Sequence, residues 1–400
     1  MSRTAKEWAQ PPQVAATDYV NNLIYTDDAI FADERDHIAR KTWKFACHES
    51  EIAALNDYRT IDHAGYPLIV TRSADGVIRT FINSCSHRAA QVLREPHGNA
   101  QNWTCLFHHW TYDNAGACIA MPRPEGFAES GICPANSGLR EVRTALRLGM
   151  VFVNLDDEAP SFDDYVGDAL ENVADVMGGP EEFEVFHIYR HVTNTNWKQL
   201  QEVQMELYHE YLHFINRQVA MGAEGYHDRK WHIYRNGHAT MDPMRQKYEN
   251  MSGWNAREEK TLPGLGSGEF RIVDLFPDTC ILARTTVMRI DTMVPLSPTQ
   301  TLLESRGLAI KGESDEDRNL RRKHHNQYWG PFGRNYPEDV LAPEAIMGAI
   351  KGGAAPWSLF ARHEDGRSQD DVLVRAFYEE WGRRTGRSAN DPMRQEVAAE

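Results

Sequence analysis

Two short segments of the chain each combine a cysteine and a histidine at close spacing. The first contains Cys85 and His87, the second contains Cys105 and His108, and seventeen residues separate them. Two thiolates and two imidazoles are the ligands of a Rieske [2Fe-2S] cluster, in which the thiolates bind one iron and the imidazoles bind the other. The residue types and their order therefore predict an iron–sulfur site.

A mononuclear zinc site is the alternative, because it also uses two thiolates and two imidazoles. Zinc fingers, however, pair cysteine with cysteine and histidine with histidine, whereas each segment here supplies one of each. Strand-like runs at residues 80–83 and 103–104 lead into the two segments, which predicts that each is a loop at the end of a hairpin. Upstream, Asp75-Gly76 between two apolar runs is a strong signal for a tight hairpin turn. An all-β module is expected around the cluster.

The length of 400 residues exceeds what one small β domain needs, so two domains are expected. Helical periodicity over residues 27–43, after a capping signal at Asp27, predicts an N-terminal helical segment, residues 1–44, that packs on the larger domain. A β-rich stretch, residues 45–155, contains the cluster, and mixed helices and strands fill residues 156–400. The predicted fold class is α+β, with an N-terminal helix, an all-β cluster domain and a mixed helix/antiparallel-sheet domain.

A second group of metal-binding side chains follows Asn196-Trp197-Lys198. Glu206, His209 and His213 are three and then four residues apart, so one regular α-helix would present all three on one face. Apolar residues occupy most other directions of this segment, which predicts a buried helix. Because burial of ionisable groups is costly unless they are paired or bind metal, the pattern favours a metal site over a solvated face with accidental histidine spacing.

Composition excludes several classes of protein. The formal charge of −15 repels a phosphate backbone and argues against nucleic acid as a partner. No apolar run approaches the roughly 20 residues that cross a bilayer, and the N-terminus lacks an apolar secretory core, so a cytoplasmic protein is expected. Four cysteines outside the two cluster segments are expected to be free, buried thiols: Cys47, Cys118, Cys133 and Cys280.

With these motifs in place, the chain resembles the catalytic α subunits of Rieske non-heme iron aromatic-ring-hydroxylating oxygenases. The resemblance extends from about residue 29 to residue 381 and rests on residues 43–52, the two cluster segments, residues 196–198 with the segment that follows, and residues 311–314. Residues 43–52 and 311–314 are most similar to the branch that acts on benzoate, toluate and anthranilate. Phthalate-type and salicylate-type hydroxylases are close alternatives.

The resemblance implies a mononuclear Fe(II) held by two histidines and one carboxylate. His209 and His213 match the histidines, and Asp339 lies where the family places the carboxylate, with Glu338 as the alternative. Taken alone, this acidic pair would be a helix N-terminus after Pro337. The family usually has four residues between its histidines and an irregular helix, whereas only three intervene here, so a regular helix is expected to suffice.

The resemblance also implies the reaction and its partners. Electrons from NADH reach a separate reductase, sometimes pass through a ferredoxin, and enter at the cluster. O2 is then inserted into a docked aromatic ring as a cis-diol, with monohydroxylation as the common variant. Since no Gly-x-Gly-x-x-Gly fingerprint follows a strand, NADH is expected to bind only the partner reductase. The implied assembly is a trimer of α subunits, in many members with a small β subunit.

For Glu206, the resemblance implies a bridging role. The acid at this position accepts hydrogen bonds from His209 of its own chain and from His108 of the adjoining chain, which suits a carboxylate because metal-bound imidazoles have a second N–H to donate. The alternative is that Glu206 merely balances a cation such as Lys198. Glu206 stands where the family usually has Asp, and three other positions depart from the family's usual Asn, glycine or small residue: Val203, Ala89 and His109.

Substrate choice rests on one strand, residues 287–294, in which Arg289 and Asp291 share a face. Directed into the cavity, Arg289 would bind a substrate carboxylate in bidentate fashion. Directed outward, the pair would form a solvated salt-bridged face, which the usual exposure of charged side chains favours. The expected substrate is an aromatic carboxylate or an amino-substituted aromatic. Two other functions remain open: a Rieske N- or O-demethylase, and an electron-transfer subunit without catalytic iron.

Overall fold

The computed structural model describes residues 4–179, 182–219, 221–245 and 260–393. The chain divides into two compact units. One unit comprises residues up to Ile38 together with those from Asp163 onward, and the other comprises Ala39–Phe162. The segments expected from the sequence ended at residues 44 and 155. Within the described ranges, no helix has both the length and the apolar character needed to cross a membrane.

The N-terminal segment contains α1 (Ala5–Trp8), β1 (Tyr19–Asn21) and α2 (Asp28–Glu34). Asp27 caps α2 as predicted, because its carboxylate accepts the backbone N–H groups of Ala29 and Ile30 at 2.9 and 3.0 Å. A π-helical turn, Arg35–Ala39, continues α2. The helical pattern therefore ends at Ala39 rather than at residue 43, since the first strand of the cluster unit begins at Lys44.

The cluster unit is all-β, as predicted. A seven-stranded antiparallel sheet has the order β2-β11-β10-β5-β4-β3-β6, and β7-β8-β9 form a second, smaller sheet. The predicted hairpin joins β4 to β5, with Gly76 at a φ of +83° in its turn. The strands are β2 (Lys44–His48), β3 (Asp57–His63), β4 (Tyr66–Arg72), β5 (Ile78–Ile82), β6 (His97–Asn99), β7 (Asn102–Thr104), β8 (Thr111–Asp113), β9 (Cys118–Ala120), β10 (Glu141–Arg147) and β11 (Met150–Asn154).

The larger unit confirms the predicted mixture of helices and antiparallel sheet. Its main sheet has the order β12-β19-β18-β17-β16-β14-β13, β15 pairs with β16, and β1 pairs with β20. The elements are α3 (Phe162–Val166), α4 (Glu171–Met177), β12 (Phe183–Thr193), α5 (Trp197–Met205), α6 (Phe214–Val219), β13 (Trp231–Ile233), β14 (Ala239–Met241), β15 (Met244–Arg245), β16 (Glu269–Leu275), β17 (Thr279–Arg284), β18 (Val287–Ser297), β19 (Gln300–Ile310), α7 (Asp315–Trp329), α8 (Tyr336–Ile350), β20 (Trp357–Leu359) and α9 (Val372–Thr385).

One face of this sheet forms the floor of a cavity. Phe270 pairs with Arg284, Ile272 pairs with Leu282, and Leu282 pairs with Arg289 across β16, β17 and β18. Because side chains alternate between the two faces of a strand, these five residues point to the same side. Helices α5 and α7 pack against β18, and α8 packs against both helices. The cavity lies between the sheet, the segment that follows α5 and the start of α8.

The cysteines outside the cluster segments partly match the prediction. None of the six cysteines forms a disulfide bond, and Cys47, Cys118 and Cys280 are buried. The prediction that Cys133 is buried is wrong, because this thiol is exposed. It precedes a short 3-10 turn, Pro134–Asn136, in a connection between strands, where no apolar layer covers the side chain.

Candidate metal centres and active site

The two cluster segments fold into loops with the same backbone hydrogen bonding. The prediction that each loop ends a hairpin is correct for the second, between the paired strands β7 and β8, and wrong for the first, because β5 and β6 pair with other strands. The carbonyl of each cysteine accepts the N–H of the residue four positions later, at 2.9 Å from Ala89 to Cys85 and at 3.0 Å from His109 to Cys105. Ala89 and His109 both have a φ of +60°, the left-handed conformation that favours glycine. This explains why glycine is common at these two positions in the family, and why the loops tolerate other residues only with local strain.

The two cluster histidines lie side by side. The ring centroids of His87 and His108 are 4.4 Å apart, and the Trp110 indole stacks on His87 at 5.0 Å. Burial and the neighbouring charges of His87 and Arg88 lower the pKa of His108, which favours the neutral form that binds metal. The buried Nδ1 atom of His87 has no hydrogen-bond partner among the described residues, as expected for a ligand atom.

The two cluster cysteines are buried in one apolar cluster with Trp110 and Tyr112. The Tyr112 hydroxyl lies 3.2 Å from the Sγ atom of Cys85 and accepts the N–H of Ser86 at 3.0 Å. A buried thiolate needs such polar contacts or a metal. The donor set thus fits a [2Fe-2S] cluster, with thiols in a dry interior and imidazoles at an intermediate level of exposure.

The prediction of one regular helix through Glu206, His209 and His213 is wrong. Helix α5 ends at Met205, Glu206 has extended backbone angles (φ −126°, ψ 130°), and Tyr208–Tyr211 form a 3-10 turn before α6 begins. The carboxylate of Glu206 accepts the N–H of His209 at 3.0 Å, and its carbonyl accepts the Nδ1–H of the same residue at 2.6 Å. These two hydrogen bonds, each of which involves a side chain, take the place of the backbone hydrogen bonds of a continuous helix. They therefore interrupt the helix.

The segment is also less buried than predicted. His213 and Ile215 are buried, but four apolar side chains are more than one-third exposed: Tyr208, Tyr211, Leu212 and Phe214. Because the backbone changes direction at Glu206, these side chains do not continue the core-facing side of α5.

The structure nevertheless brings the predicted iron ligands together. Nε2 of His213 lies 2.9 Å from Oδ1 of Asp339, and Nε2 of His209 lies 3.5 Å from the same oxygen. One potential ligand atom from each residue lies within 4.8 Å of the others. Among the described residues, no other group of three or more candidate ligands lies this close together.

Electrostatics at this site favour a bound cation. Burial would raise the pKa of Asp339, but His213 and His209 hold it well below its usual range. Burial would lower the pKa of His209, but the carboxylates of Glu206 and Asp339 raise it well above the ordinary value, and Asp339 likewise raises the pKa of His213. The acids therefore stabilise positive charge at these two rings, which a metal cation supplies in place of the protons. Two imidazoles and a carboxylate are the ligand set of non-heme Fe(II).

Glu338, the alternative iron ligand, points elsewhere. Its Oε2 atom lies 2.8 Å from Nδ1 of His213, whereas Asp339 approaches Nε2 of the same ring. Successive residues on a helix project about 100° apart, so adjacent acids reach opposite edges of one imidazole. Sequence inspection could not separate these directions, because it does not give the orientation of the ring.

Lys198 does not pair with Glu206. Its Nζ atom lies 2.6 Å from Glu34 of α2, and both side chains are buried. Glu34 also accepts the indole N–H groups of Trp197 and Trp381. This network attaches α2 to the start of α5, about two turns before the metal-binding segment, and only the tertiary structure reveals it.

A cavity opens at the ligands His209, His213 and Asp339. The prediction that Arg289 and Asp291 form a solvated face is wrong, because both are at least 97 % buried and Arg289 lines this cavity. Strand β18 lies inside the sheet and is covered by helices, so its charged side chains cannot reach solvent. The charges compensate each other at 2.8 Å between Nε and Oδ2.

Comparisons with known proteins agree with this architecture. Residues 42–135 match the family model of the Rieske [2Fe-2S] domain, and residues 180–387 match that of the ring hydroxylating alpha subunit (catalytic domain). The chain is 46 % identical over 392 residues to the 2-aminobenzenesulfonate 2,3-dioxygenase subunit alpha of Alcaligenes sp, covering 98 % of this chain and 99 % of the relative.

Two further similarities are more distant. The methanesulfonate monooxygenase hydroxylase subunit alpha of Methylosulfonomonas methylovora is 31 % identical, with coverage of 98 % of this chain and 97 % of the relative. A naphthalene 1,2-dioxygenase mutant bound to phenanthrene superposes with a TM-score of 0.78 at 20 % identity, covering 96 % of both chains. The latter similarity is one of fold.

The family supplies the cofactors and the type of reaction. Its members carry a [2Fe-2S] cluster and a mononuclear iron, use NADH through a reductase, work with reductase and ferredoxin partners, and form oligomers. The ligand sets described above fit both metal groups. The chain therefore belongs to the α subunits of the Rieske ring-hydroxylating oxygenases and is an aromatic-ring-hydroxylating dioxygenase.

Proposed function

We propose that this oxygenase dihydroxylates an amino-substituted aromatic ring that carries a sulfonate group, and that Arg289 binds the sulfonate. The observation that carries the proposal is a buried arginine in the same cavity as the three predicted iron ligands. The sequence alone favoured an aromatic carboxylate or an amino-substituted aromatic. An aminoarenesulfonate belongs to the same class of small aromatics with polar substituents.

Arg289 is held in a fixed orientation. Asp291 contacts its Nε atom at 2.8 Å and in turn accepts the hydroxyl of Ser305 at 2.6 Å. The guanidinium carbon lies 3.9 Å from the centroid of Trp329, a cation–π contact. An arginine has five N–H donors, and the contact of Nε with Asp291 is an ion pair without hydrogen-bond geometry. A planar, pre-oriented cation of this kind is suited to bind the oxygens of an acid group.

The relatives support a sulfonate. The relative with 46 % identity is named for 2-aminobenzenesulfonate, and the relative with 31 % identity is named for methanesulfonate. The cavity lining favours the aromatic member of this pair, because apolar side chains cover much of its wall: Leu207, Met244, Phe270, Ile272 and Leu282. An apolar wall stabilises a ring, whereas methanesulfonate offers it a single methyl group.

In the proposed mechanism, each side chain of the cavity has a distinct task. When bound, the mononuclear iron supplies O2 activation, and the [2Fe-2S] cluster supplies electrons from the reductase. His209, His213 and Asp339 hold the iron, Arg289 binds the acid group, and the apolar wall fixes the plane of the ring. Both oxygen atoms of O2 enter the ring, with two electrons from NADH and two protons from solvent.

A substrate panel tests this proposal. The purified oxygenase with a surrogate reductase would be given 2-aminobenzenesulfonate, anthranilate, aniline and methanesulfonate under oxygen-18 gas, with products identified by mass spectrometry. We expect two labelled oxygens in the product of the aminoarenesulfonate and slower turnover of aniline, which lacks the acid. Turnover of methanesulfonate alone, or a preference for aniline, would contradict the proposal.

The role of Arg289 is tested by Arg289→Lys, which keeps a cation beside Asp291 but removes the planar donor array. The value of kcat/KM for the sulfonate should fall roughly tenfold or more, while the visible cluster absorption and the iron content stay unchanged. Activity toward aniline is the internal control, because it should respond little. An equal loss for both substrates would show that the substitution damages the site rather than acid binding.

We also propose the assembly that the family resemblance implies: three α subunits, a reductase that donates electrons with or without a ferredoxin, and a small β subunit. In this assembly Glu206 links its own His209 to His108 of the adjoining chain. The 3.2 Å distance between Glu206 and Nδ1 of His209 is compatible with this role. Light scattering that gave the mass of a single 45.6 kDa chain in an active sample would contradict it.

A further inference from the structure

The imidazole of His213 is held at both ring nitrogens by two consecutive acids. Glu338 lies 2.8 Å from Nδ1, and Asp339 lies 2.9 Å from Nε2. We propose that Glu338 is a positioning residue that fixes the proton of His213 on Nδ1 and thereby presents Nε2 to the iron. This proposal concerns metal binding and does not depend on the identity of the substrate.

The argument starts from the chemistry of a metal-bound imidazole. A neutral ring carries one proton, and the nitrogen that binds a metal must be the unprotonated one. For Nε2 of His213 to bind iron beside Asp339, the proton must reside on Nδ1. Among the described residues, the carboxylate of Glu338 is the hydrogen-bond acceptor for this proton. A charged acceptor at this place orients the ring and makes the ligating nitrogen more basic.

Backbone hydrogen bonds fix the position of Glu338. The N–H groups of Glu338 and Asp339 both donate to the carbonyl of Asn335, at 2.9 Å each, in the first turn of α8. Pro337 occupies this turn as well, where its fixed φ suits the start of a helix. The N-terminal end of a helix also stabilises negative charge. One helical turn therefore delivers both the ligand and the orienting acid to opposite edges of one ring.

The other iron histidine is held in a different way. Nδ1 of His209 donates to the backbone carbonyl of Glu206 at 2.6 Å, and the carboxylate of Glu206 lies 3.2 Å from the same nitrogen. A backbone carbonyl remains when the side chain is replaced, so His209 keeps its orientation in a Glu206 variant. His213 relies on a side chain. Iron affinity should therefore depend on Glu338 much more than on Glu206.

Metal affinity of four variants tests the proposal without a turnover assay. Fe(II) binding to the purified chain would be measured by competition with a chelator for Glu338→Ala, Glu338→Asp, Glu206→Gln and Glu344→Gln. Glu344 is the matched control, since it is an acid of the same helix whose carboxylate accepts the N–H of Asn194. The visible absorption of the cluster reports correct folding, and Co(II) absorption reports the ligand set.

Loss of the orienting bond should weaken Fe(II) binding about 10- to 100-fold in Glu338→Ala, the range typical of such outer contacts. Glu338→Asp should behave similarly because the shorter carboxylate does not reach Nδ1. Glu344→Gln should bind as the parent chain does, and Glu206→Gln should lose much less affinity than Glu338→Ala, because the backbone carbonyl of residue 206 still orients His209. The proposal is overturned if Glu338→Ala binds Fe(II) normally, or if Glu344→Gln loses as much affinity. A Co(II) spectrum that lost an oxygen ligand in Glu338→Ala would also overturn it, because Glu338 would then be a ligand.

Discussion

The two metal-binding regions of this chain differ in how their ligands are brought together. The four cluster ligands lie between Cys85 and His108, in two loops with the same hydrogen-bond pattern. The iron ligands His209 and His213 lie in an interrupted helix, and Asp339 lies on a helix far along the chain. The cluster site depends mainly on local backbone geometry, whereas the iron site depends on tertiary packing.

Because of this difference, the structural constraint on the ligands is of a different kind at each site. In the cluster loops, the constraint is a left-handed residue, Ala89 or His109, four positions after each cysteine. At the iron site, the constraint is the orientation of two imidazoles: the backbone carbonyl of Glu206 holds His209 in the same segment, and the carboxylate of Glu338 holds His213 from a distant helix. Substitutions should therefore separate the two sites by phenotype.

The largest expected effects come from loss of a ligand. Cys85→Ser should abolish the visible cluster absorption together with product formation, because a thiolate ligand is lost. His213→Ala should retain that absorption but reduce product formation by more than roughly 100-fold, since loss of a ligand should exceed the loss of an outer contact. Absorption spectra and product yields of the two variants provide the measurement. Turnover in His213→Ala would mean that another residue binds the iron.

A smaller and more selective effect is expected for Glu206→Gln. The variant should keep both metals, because the backbone carbonyl of Glu206 still orients His209. Reductase should still bleach the cluster colour, while product formation falls by orders of magnitude if the carboxylate connects the sites of adjoining chains. Single-turnover assays would separate the two steps. Near-normal turnover would show that electrons cross by another route, and Glu344→Gln serves as the control.

The smallest expected effect concerns the cluster loops. Ala89→Gly relieves a left-handed alanine and should stabilise the cluster unit by about 0.5–1 kcal/mol. Ala90→Gly is the matched control, because Ala90 has no positive φ and the added backbone freedom should destabilise by a similar amount. Thermal loss of the cluster absorption measures both. Equal destabilisation by the two substitutions would contradict the role assigned to the backbone at Ala89.

The sequence predicted much of the fold for identifiable reasons. The hairpin at Asp75-Gly76 and the cap at Asp27 depend on neighbouring residues, and the structure contains both. The regular helix through Glu206 was wrong because side-chain hydrogen bonds to His209 outweighed the helical spacing. The solvated face at Arg289 was wrong because strand alternation does not reveal which face the helices cover.

The network of Glu34, Lys198 and Glu202 could not be predicted either. Glu34 lies in α2, whereas Lys198 and Glu202 lie in α5, and Glu202 accepts the hydroxyl of Tyr25 at 2.6 Å. Burial raises the pKa of Glu202 to about 7, an effect that depends on the packed core rather than on sequence neighbours. Such contacts over long sequence separations are visible only in the folded chain.

The most direct test of two distinct metal sites is the iron content of the purified chain and of His213→Ala. A [2Fe-2S] cluster and one mononuclear iron predict about three irons per chain in the parent protein and about two in the variant, with equal cluster absorption. An electron-transfer subunit without catalytic iron would contain about two irons in both. Equal iron content in the two proteins would therefore contradict the assignment of His213, and with it the catalytic centre described here.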